Sequence, residues 1–407
     1  MKLKLNILIF ITLILILSGI ASANFTGPIK IGKGRYPTIA QDENGMYWLV
    51  FNNESGIYMM NSSDLANWSL PEKLPFSQPD DYDAYLRIYD GKFYIAFTRH
   101  KLVNPHSLFG FDYDVYLAIG DGKNWKLVPI NTSNSSVDWY PYIYRDPFGK
   151  FWLVYSKDYK DGNGSTIVVR YSDDAVNWSR EYPAIPPSSL FGSMFYFKDR
   201  YWMVYALYTG NYTIPEIMNL HDLYIAYSFD GINWVRAAKL TNTPPPYNFT
   251  LYVDAETDGK NIWVSYTSTI EGNEEVYIFG SPDGFNWSEP VRLSRNIEYI
   301  RSLENPYNFK CDQKDLLIDE KGKAIVVYQS AIFPNATTLW IVYGKPVTMK
   351  GFSKAEYNIT LPYRYSSEKN PTSEKENSKK TPLGAILPLI ALGSALLTAR
   401  IAKKKNG

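Results

Sequence analysis

A repeated acid-to-tryptophan turn constrains the fold of this chain more than any other feature. Five times in the 407 residues an aspartate is followed four residues later by a tryptophan, with successive copies about 55 residues apart. The five pairs are Asp64 and Trp68, Asp121 and Trp125, Asp174 and Trp178, Asp230 and Trp234, and Asp283 and Trp287. A constant period of this length indicates one supersecondary unit repeated around or along a structure.

Each unit also carries β-prone, aromatic-rich runs. One kind of run follows a turn signal and occupies residues 46–51, 93–97, 151–155, 201–205, 262–266 and 324–328. A second kind stands before the acid and occupies residues 56–60, 114–118, 166–170, 222–226, 275–279 and 338–342. A short strand follows each tryptophan, and no helical period intervenes. Six units of four antiparallel strands predict an all-β fold, a six-bladed β-propeller.

The sixth unit lacks an acid-to-tryptophan turn, so its outer strand must come from elsewhere in the chain. Residues 27–31 resemble the fourth strands of the other units and would close the ring without leaving an open sheet edge. Residues 356–361 are the competing donor. Both possibilities stay open on the sequence alone.

The ends of the chain predict export and anchoring. Residues 1–23 combine lysines, an apolar run and a small-residue cleavage site, as in a signal peptide. Residues 24–365 hold the propeller, and residues 366–382 form a Ser, Lys, Glu and Pro linker. Residues 383–399 carry no charge and precede a basic tail at 400–407, a pattern that predicts one transmembrane helix with a cytoplasmic C-terminus, or a processed sorting signal. The expected location is the cell membrane, with the propeller outside the cytoplasm.

Composition narrows the range of functions. Cys311 is the only cysteine, so no intramolecular disulfide can form, and a net charge of +1 offers no basic stripe for nucleic acid. Three scattered histidines, His100, His106 and His221, do not suggest a metal site, and no cofactor is expected. The oligomeric state is left open.

Asparagine sequons are frequent and predict a glycoprotein. Thirteen Asn-x-Ser/Thr acceptors are present, and three of them, Asn67, Asn177 and Asn286, lie inside the acid-to-tryptophan turns, where a structural role is expected. The sequons together with both chain ends fit an archaeal surface protein.

The repeat motif itself points to a family. Residues 228–234 and 281–287 read Ser-x-Asp-Gly-x-x-Trp, which resembles the Asp-box, or bacterial neuraminidase (BNR) repeat, of the sialidase superfamily. The resemblance implies a six-bladed propeller in which the acid accepts backbone N–H groups of its turn and the indole fills space between blades. Calcium binding by these acids is the alternative.

Strand order predicts where a binding site lies. The acid-to-tryptophan turns connect third and fourth strands, so a site is expected on the opposite face, where loops are longer. Counting seven residues back from the turn acid after each first strand gives the expected residues at the mouth of the central channel: Arg35, Asp83, Trp139, Gly192, Leu251 and Asp312. An arginine, a carboxylate and an indole suit an anionic or hydroxylated ligand. An ion pair and a packing tryptophan that tie blades together are the alternative.

The sialidase resemblance implies specific roles. Arg35, which stands two residues before a proline, corresponds to the first of three arginines that bind the substrate carboxylate, and Asp83 or Asp81 to the acid/base aspartate. By the same resemblance Arg301 is a later arginine, Tyr307 or Tyr299 the nucleophile, and Glu304 or Glu256 the glutamate that polarises it. Arg99 is a candidate second arginine from a different blade. The glutamate and arginine that the family places in its middle blades have no clear match here.

Three functions follow as hypotheses. The first is a surface-anchored sialidase-like propeller that binds glycans or surface partners. The second is a retaining exo-glycosidase of sialidase type with a tyrosine nucleophile. The third is a structural cell-envelope or adhesion protein.

Overall fold

The computed structural model describes residues 25–101, 112–131, 136–159, 164–185, 188–210, 221–244, 250–271, 274–294, 309–332, 337–345, 349 and 351–360. Within them the strands form six antiparallel sheets, or blades. The first strands of neighbouring blades contact one another in a closed cycle around a central channel. The predicted six-bladed propeller is therefore confirmed.

Blades one to three each contain four strands in chain order. Blade one is β2 (Arg35–Gln41), β3 (Tyr47–Asn53), β4 (Gly56–Ser62) and β5 (Glu72–Lys73). Blade two is β6 (Asp81–Tyr89), β7 (Lys92–Lys101), β8 (Asp112–Gly120) and β9 (Trp125–Asn131). Blade three is β10 (Ser136–Arg145), β11 (Phe151–Tyr159), β12 (Gly164–Ser172) and β13 (Tyr182–Pro183).

Blades four and six each include a strand from a distant part of the chain, whereas blade five is continuous in sequence. Blade four is β14 (Ser189–Phe197), β15 (Arg200–Tyr208), β16 (His221–Ser228), β17 (Trp234–Lys239) and β27 (Ile359–Thr360). Blade five is β18 (Thr250–Thr257), β19 (Ile262–Ser268), β20 (Glu275–Ser281) and β22 (Val291–Arg292). Blade six is β23 (Phe309–Ile318), β24 (Ala324–Ile332), β25 (Thr338–Gly344) and β1 (Phe25–Lys33), and a separate pair joins β21 (Asn286–Trp287) to β26 (Ser353–Lys354).

The N-terminal strand closes the ring, as the first of the two closure hypotheses predicts. β1 pairs antiparallel with β25 as the outer strand of blade six. The competing C-terminal segment instead pairs with blade four, where Thr360 lies opposite Arg236. On the way it runs past blade five: the Ala355 amide donates to the Phe285 carbonyl at 2.7 Å, and the Tyr357 hydroxyl donates to the Gly284 carbonyl at 2.8 Å. This segment therefore straps blades five and four together.

Hydrophobic clusters fill the spaces between blades. Six buried clusters lie one at each blade-to-blade contact, including the contact between blades six and one. The tryptophans of the five repeat turns pack against five of them, which confirms that the indoles fill space between blades. Because each blade contributes to two clusters, apolar burial holds the ring together without any disulfide.

The repeat acids organise their own turns. Asp64 Oδ1 accepts the backbone N–H groups of Ala66 and Asn67 at 2.9 and 2.8 Å, and its Oδ2 accepts the Asn67 side-chain amide at 2.8 Å. These bonds hold the pKa of Asp64 well below its usual range. The same contacts recur at Asp174, Asp230 and Asp283. Turn geometry therefore accounts for the acids.

The pairing register places these turns on one face of the propeller. Tyr47 pairs with both Gln41 and Ser62, so the first-to-second turn and the acid-to-tryptophan turn of blade one share one end of the sheet. Arg35 pairs with Asn52 at the opposite end. We call the first end the turn face and the second the open face.

Several sequence predictions concern the chain ends. No helix in the described part of the chain is long and apolar enough to cross a membrane. Residues 1–23, 366–382, 383–399 and 400–407 lie outside the described residues. The signal peptide, linker, anchor and tail therefore stay predictions.

Candidate functional site

All six first strands share one irregularity near the open face. In each the ladder to the second strand skips two residues, which are 36–37, 83–84, 140–141, 191–192, 252–253 and 313–314. A β-bulge bends a strand and turns side chains in a new direction. Prolines at 37 and 141 fit this position, because a bulge residue need not donate to the ladder.

In five blades the first residue of the bulge has a left-handed backbone conformation, although none of these five residues is glycine. The φ values are 52° at Tyr36, 50° at Asp83, 51° at Tyr140, 59° at Phe191 and 50° at Tyr252. A non-glycine residue in this region costs about 1–2 kcal/mol. Such strain is concentrated at ligand sites, where the surrounding structure holds it in place.

These five residues surround the mouth of a pocket on the propeller axis. Together with the residues that follow them along the first strands, they line a cavity of about 100 Å³. Thr38, Tyr85, Tyr142, Asp254 and Asp315 form its deeper wall. The pocket opens on the face opposite the acid-to-tryptophan turns, which is where the strand order predicts a site.

Aromatic rings continue from the mouth into a belt on the open face. Successive ring centroids lie 4.3 to 6.4 Å apart along a series of seven side chains drawn from five blades. In order these are Tyr36, Tyr82, Tyr113, Trp139, Tyr140, Phe191 and Tyr252. All except Phe191 are partly exposed. We call this set the aromatic belt.

Below the mouth, short polar side chains tie each blade to the next. Thr38 Oγ1 accepts the Leu86 N–H at 2.9 Å and donates to Asp315 Oδ2 at 2.6 Å. Asp315 Oδ2 also accepts the Ile39 N–H at 2.7 Å, and Asp254 Oδ2 accepts the Leu316 N–H at 2.8 Å. Similarly, Ser193 Oγ of blade four accepts the Ala255 N–H of blade five at 3.0 Å. These buried groups satisfy backbone donors on the inner edge of the first strands, where no further strand pairs with them.

Arg87 lies behind the lining residues Tyr85 and Asp315, and we call this position the floor of the pocket. Its side chain leaves blade two and crosses the channel to an ion pair with Glu256 of blade five and a contact at 3.5 Å with Asp315 of blade six. The guanidinium also stacks at 4.2 Å over the ring of Tyr85. The charge of this arginine is therefore neutralised behind the pocket wall.

Burial controls protonation in the pocket. It raises the pKa of Asp83 to about 7, so that this carboxyl holds its proton over much of the acidic range. Burial also raises the pKa of Asp315 well above its usual range, and the neighbouring Asp254 adds to the effect. Asp315 is therefore ionised less readily than an exposed aspartate.

Of the residues predicted at the channel mouth, Asp83 and Gly192 line the pocket, whereas Arg35, Trp139 and Leu251 do not. Asp83 occupies the bulge position, whereas Arg35, Trp139 and Leu251 stand one residue before it. Turn length causes the difference: Tyr89 pairs with Lys92 across a two-residue turn, while Gln41 pairs with Tyr47 across a five-residue turn. The turn acids are therefore not equivalent markers.

Arg35 and Asp83 do not form the ion pair considered for neighbouring blades. The structure records no hydrogen bond or ion pair between these two described residues, and Arg35 is not part of the pocket wall. Trp139 lies in the aromatic belt, where its buried Nε1 has no hydrogen-bond partner among the described residues.

Two further candidates, Asp81 and Arg99, pair with each other. Arg99 Nε and Nη2 donate to the two Asp81 oxygens at 2.7 and 3.1 Å, and Asp81 Oδ2 also accepts the Gln78 N–H at 2.8 Å. This bidentate pair fixes the segment before β6. It lies outside the pocket wall.

The remaining candidates lie outside the described residues. Tyr299, Arg301, Glu304 and Tyr307 belong to an undescribed segment, and only the backbone of Asp312 is described. Their roles stay predictions. In the described part of the chain, no three His, Cys, Asp or Glu side chains group closely enough to hold a metal ion.

The sequence interpretation did not single out the belt tyrosines, Arg87 or Asp315. Two local signals were present: Tyr36 and Tyr140 each precede a proline, and Phe191 precedes a glycine, at the place where the first strand bulges. Asp254 and Glu256 alternate on one inner strand of the sequence, which predicts carboxyl groups that line the channel or hold a cation, with solvated carboxylates as the alternative. In the structure Asp254 accepts the Leu316 N–H of blade six, and Glu256 forms an ion pair with Arg87.

Comparison with known proteins supports the fold. The sequence matches no protein-family model and no curated protein sequence. Among solved structures, an α-L-arabinanase of Penicillium chrysogenum is 17% identical with a TM-score of 0.55, over 78% of this chain and 98% of that one. An α-L-arabinofuranosidase of Fusarium graminearum is 14% identical with a TM-score of 0.57, over 79% and 98%. Trypanosoma rangeli sialidase is 13% identical with a TM-score of 0.52, over 77% of this chain but only 55% of that one. At these identities the similarity establishes a shared propeller fold with arabinanases, arabinofuranosidases and sialidases.

Proposed function

We propose that this protein binds glycans, and that the axial pocket with its aromatic belt is the binding site. The observation that carries the proposal is the belt itself, seven rings from five blades arranged around one pocket. Aromatic faces pack against the C–H surface of sugar rings, while carboxyl and hydroxyl groups in the wall exchange hydrogen bonds with sugar hydroxyls. A mostly apolar concavity with a few convergent polar groups is the usual form of a small-molecule site.

The similar folds support the choice of ligand. Those structures include an arabinanase complexed with arabinobiose and a sialidase, which act on carbohydrates. We extend carbohydrate recognition to this chain because its pocket lies on the propeller axis and combines aromatic and carboxyl groups.

We further propose that the propeller acts outside the cytoplasm on the cell surface, held by residues 383–399. The apolar length and the basic tail of the sequence support this location. Protease shaving of intact cells of the source organism, followed by detection of propeller peptides, tests it. Peptides released without lysis are expected, and peptides protected until lysis would contradict the location.

Glycoside hydrolysis is the second candidate, favoured by one group. Asp83 lines the pocket and, with a pKa of about 7, is half protonated near neutral pH, as a general acid requires. The other wall carboxyls, Asp254 and Asp315, already hold backbone amides of neighbouring blades. A sialidase-type reaction would also need Arg35, Arg301, Glu304 and Tyr307 to converge on Asp83.

A glycan array tests binding, and a fluorogenic sialoside assay tests hydrolysis. The full-length protein, in a detergent without a sugar headgroup, is applied to both, with Asp83→Asn as the variant. Binding without turnover supports the glycan-binding role. Turnover that Asp83→Asn abolishes supports the hydrolase instead. The absence of any bound glycan would contradict both and leave a structural envelope role.

A further inference from the structure

We infer that the axial pocket takes the terminal ring of a neutral saccharide and excludes acidic sugars such as sialic and uronic acids. The inference rests on the proposed glycan-binding function and specifies the ligand class of the same site. This neutral ligand differs from the carboxylate-bearing ligand that the sialidase resemblance implies.

The pocket wall carries carboxyl groups and no basic side chain in the described part of the chain. Three carboxyl side chains, Asp83, Asp254 and Asp315, line it, and none of the described lining residues is arginine, lysine or histidine. A ligand carboxylate placed among them would lose its hydration without gaining a cationic partner in the wall, and it would be repelled by each wall carboxyl that is ionised. A neutral ring meets neither cost.

Two described guanidinium groups near the pocket are already occupied, and a third, that of Arg35, lies outside the pocket wall. Arg87 on the floor is paired with Glu256 and approaches Asp315 at 3.5 Å, and Arg99 is held by both oxygens of Asp81. To bind a ligand carboxylate, either arginine would have to leave a buried partner uncompensated. Neither is available as the planar clamp that carboxylate recognition uses.

The wall nevertheless offers partners for hydroxyl groups. The hydroxyl of Tyr142, a residue 4% exposed, lines the pocket and has no partner with hydrogen-bond geometry in the described structure. A sugar hydroxyl both donates and accepts, so a single neutral ring can satisfy Tyr142 and the carboxyl groups together. This makes the pocket complementary to a polyol surface.

The size of the pocket limits the ligand to one ring. A buried cavity of about 150 Å³ accommodates a benzene ring, and the cavity here is about 100 Å³ with an open top. One terminal sugar therefore enters at most partly. The rest of the glycan must lie over the aromatic belt.

Matched glycan pairs test the inference. Binding constants of the full-length protein are measured by calorimetry for a galactose-terminated oligosaccharide and its sialylated form, and for glucose- and glucuronate-terminated chains. The neutral member is expected to bind at least about tenfold more tightly in each pair, which corresponds to 1.4 kcal/mol. A glucosamine-terminated chain measures the response to a positive charge.

Two variants of equal charge change locate the effect. Asp83→Asn is expected to reduce the neutral-to-acidic ratio at least threefold, because it removes a carboxylate from the mouth. Asp80→Asn, which changes an exposed acid outside the pocket wall, is expected to alter the ratio less than twofold. Arg301→Ala is expected to leave the preference unchanged.

The outcomes separate the two proposals. If acidic glycans bind as tightly as neutral ones, or if the glucosamine chain binds more than tenfold tighter than the neutral chain, the ligand class is wrong while glycan binding stands. If no member of either pair binds and the array is blank, the proposed function itself fails. Equal effects of Asp83→Asn and Asp80→Asn would place the discrimination outside the pocket.

Discussion

Replacing Thr38 by valine should weaken the junction of three blades beneath the pocket. Thr38 is 1% exposed, and its hydroxyl accepts the Leu86 N–H of blade two while donating to Asp315 of blade six. Valine has nearly the same shape, so the substitution removes the hydroxyl without opening a cavity. The effect therefore reports hydrogen bonding alone.

The magnitude follows from the groups left behind. The buried Leu86 N–H loses its acceptor, which costs about 1–3 kcal/mol. Asp315 loses one of its donors but keeps the Ile39 N–H, so this bond adds about 1 kcal/mol. We expect Thr38→Val to lower the free energy of unfolding by about 2–4 kcal/mol.

Thr98 provides a matched control on β7, the second strand of blade two. It is 0% exposed, and its hydroxyl has no hydrogen-bond partner among the described residues. Thr98→Val should therefore be neutral or slightly stabilising, since it replaces an unpaired buried hydroxyl by a methyl group. Urea unfolding followed by tryptophan fluorescence measures both variants. Equal destabilisation by the two substitutions would refute the role assigned to the Thr38 hydroxyl.

Three further predictions concern protonation, the pocket floor and the repeat turns. Because burial raises the pKa of Asp83 to about 7 while the unfolded chain titrates near 3.9, its contribution to stability is full below about pH 4 and is lost as the pH rises through 7. Asp83→Asn should thus be more stable than the wild type at pH 8 and no more stable at pH 4 in urea unfolding, and a pH-independent difference would contradict this. Arg87→Met should lower the free energy of unfolding by about 3–5 kcal/mol, because it leaves Glu256 unpaired. The double variant Arg87→Met/Glu256→Gln should recover part of this loss. Strictly additive losses for the two substitutions would exclude the ion pair. Gly284 and Gly259 have similar backbone angles, with φ of 81° and 78°, but a Cβ atom at Gly284 would overlap the Trp202 ring, whereas one at Gly259 would meet open space. Gly284→Ala should therefore lower the melting temperature more than Gly259→Ala does. An equal decrease would assign the whole effect to backbone strain.

The propeller was readable from the sequence because its repeat chemistry is local. A carboxylate that accepts the amides two and three residues ahead, as Asp64 does, needs no information from elsewhere in the chain. The apolar strands between such turns bury their side chains against the equivalent strands of neighbouring blades. Closure by β1 was also accessible, since the last unit lacked its outer strand.

The site was only partly predictable because its geometry depends on features that the sequence does not mark. Asp83 lies in the pocket wall, but counting from the turn acids shifts the predicted position in other blades, because the turns differ in length between two and five residues. Arg87 reaches across the channel to Glu256, 169 residues away in the chain, and no local pattern indicates that pairing. The pairing of the C-terminal segment around Tyr357 with blade four was likewise not predictable, because a short strand-like segment can pair with any open sheet edge.

The most direct test of the central claim compares one belt residue with one exposed aromatic residue on the turn face. Calorimetry with the tightest-binding neutral glycan is performed on the wild type, Tyr140→Ala and Phe148→Ala, where Phe148 is 72% exposed. Tyr140 belongs to the pocket wall and the belt, so its loss should weaken binding at least tenfold, while Phe148→Ala should leave the affinity within twofold of the wild type. Unchanged affinity for Tyr140→Ala, or an equal loss for Phe148→Ala, would show that glycans do not bind at the axial pocket.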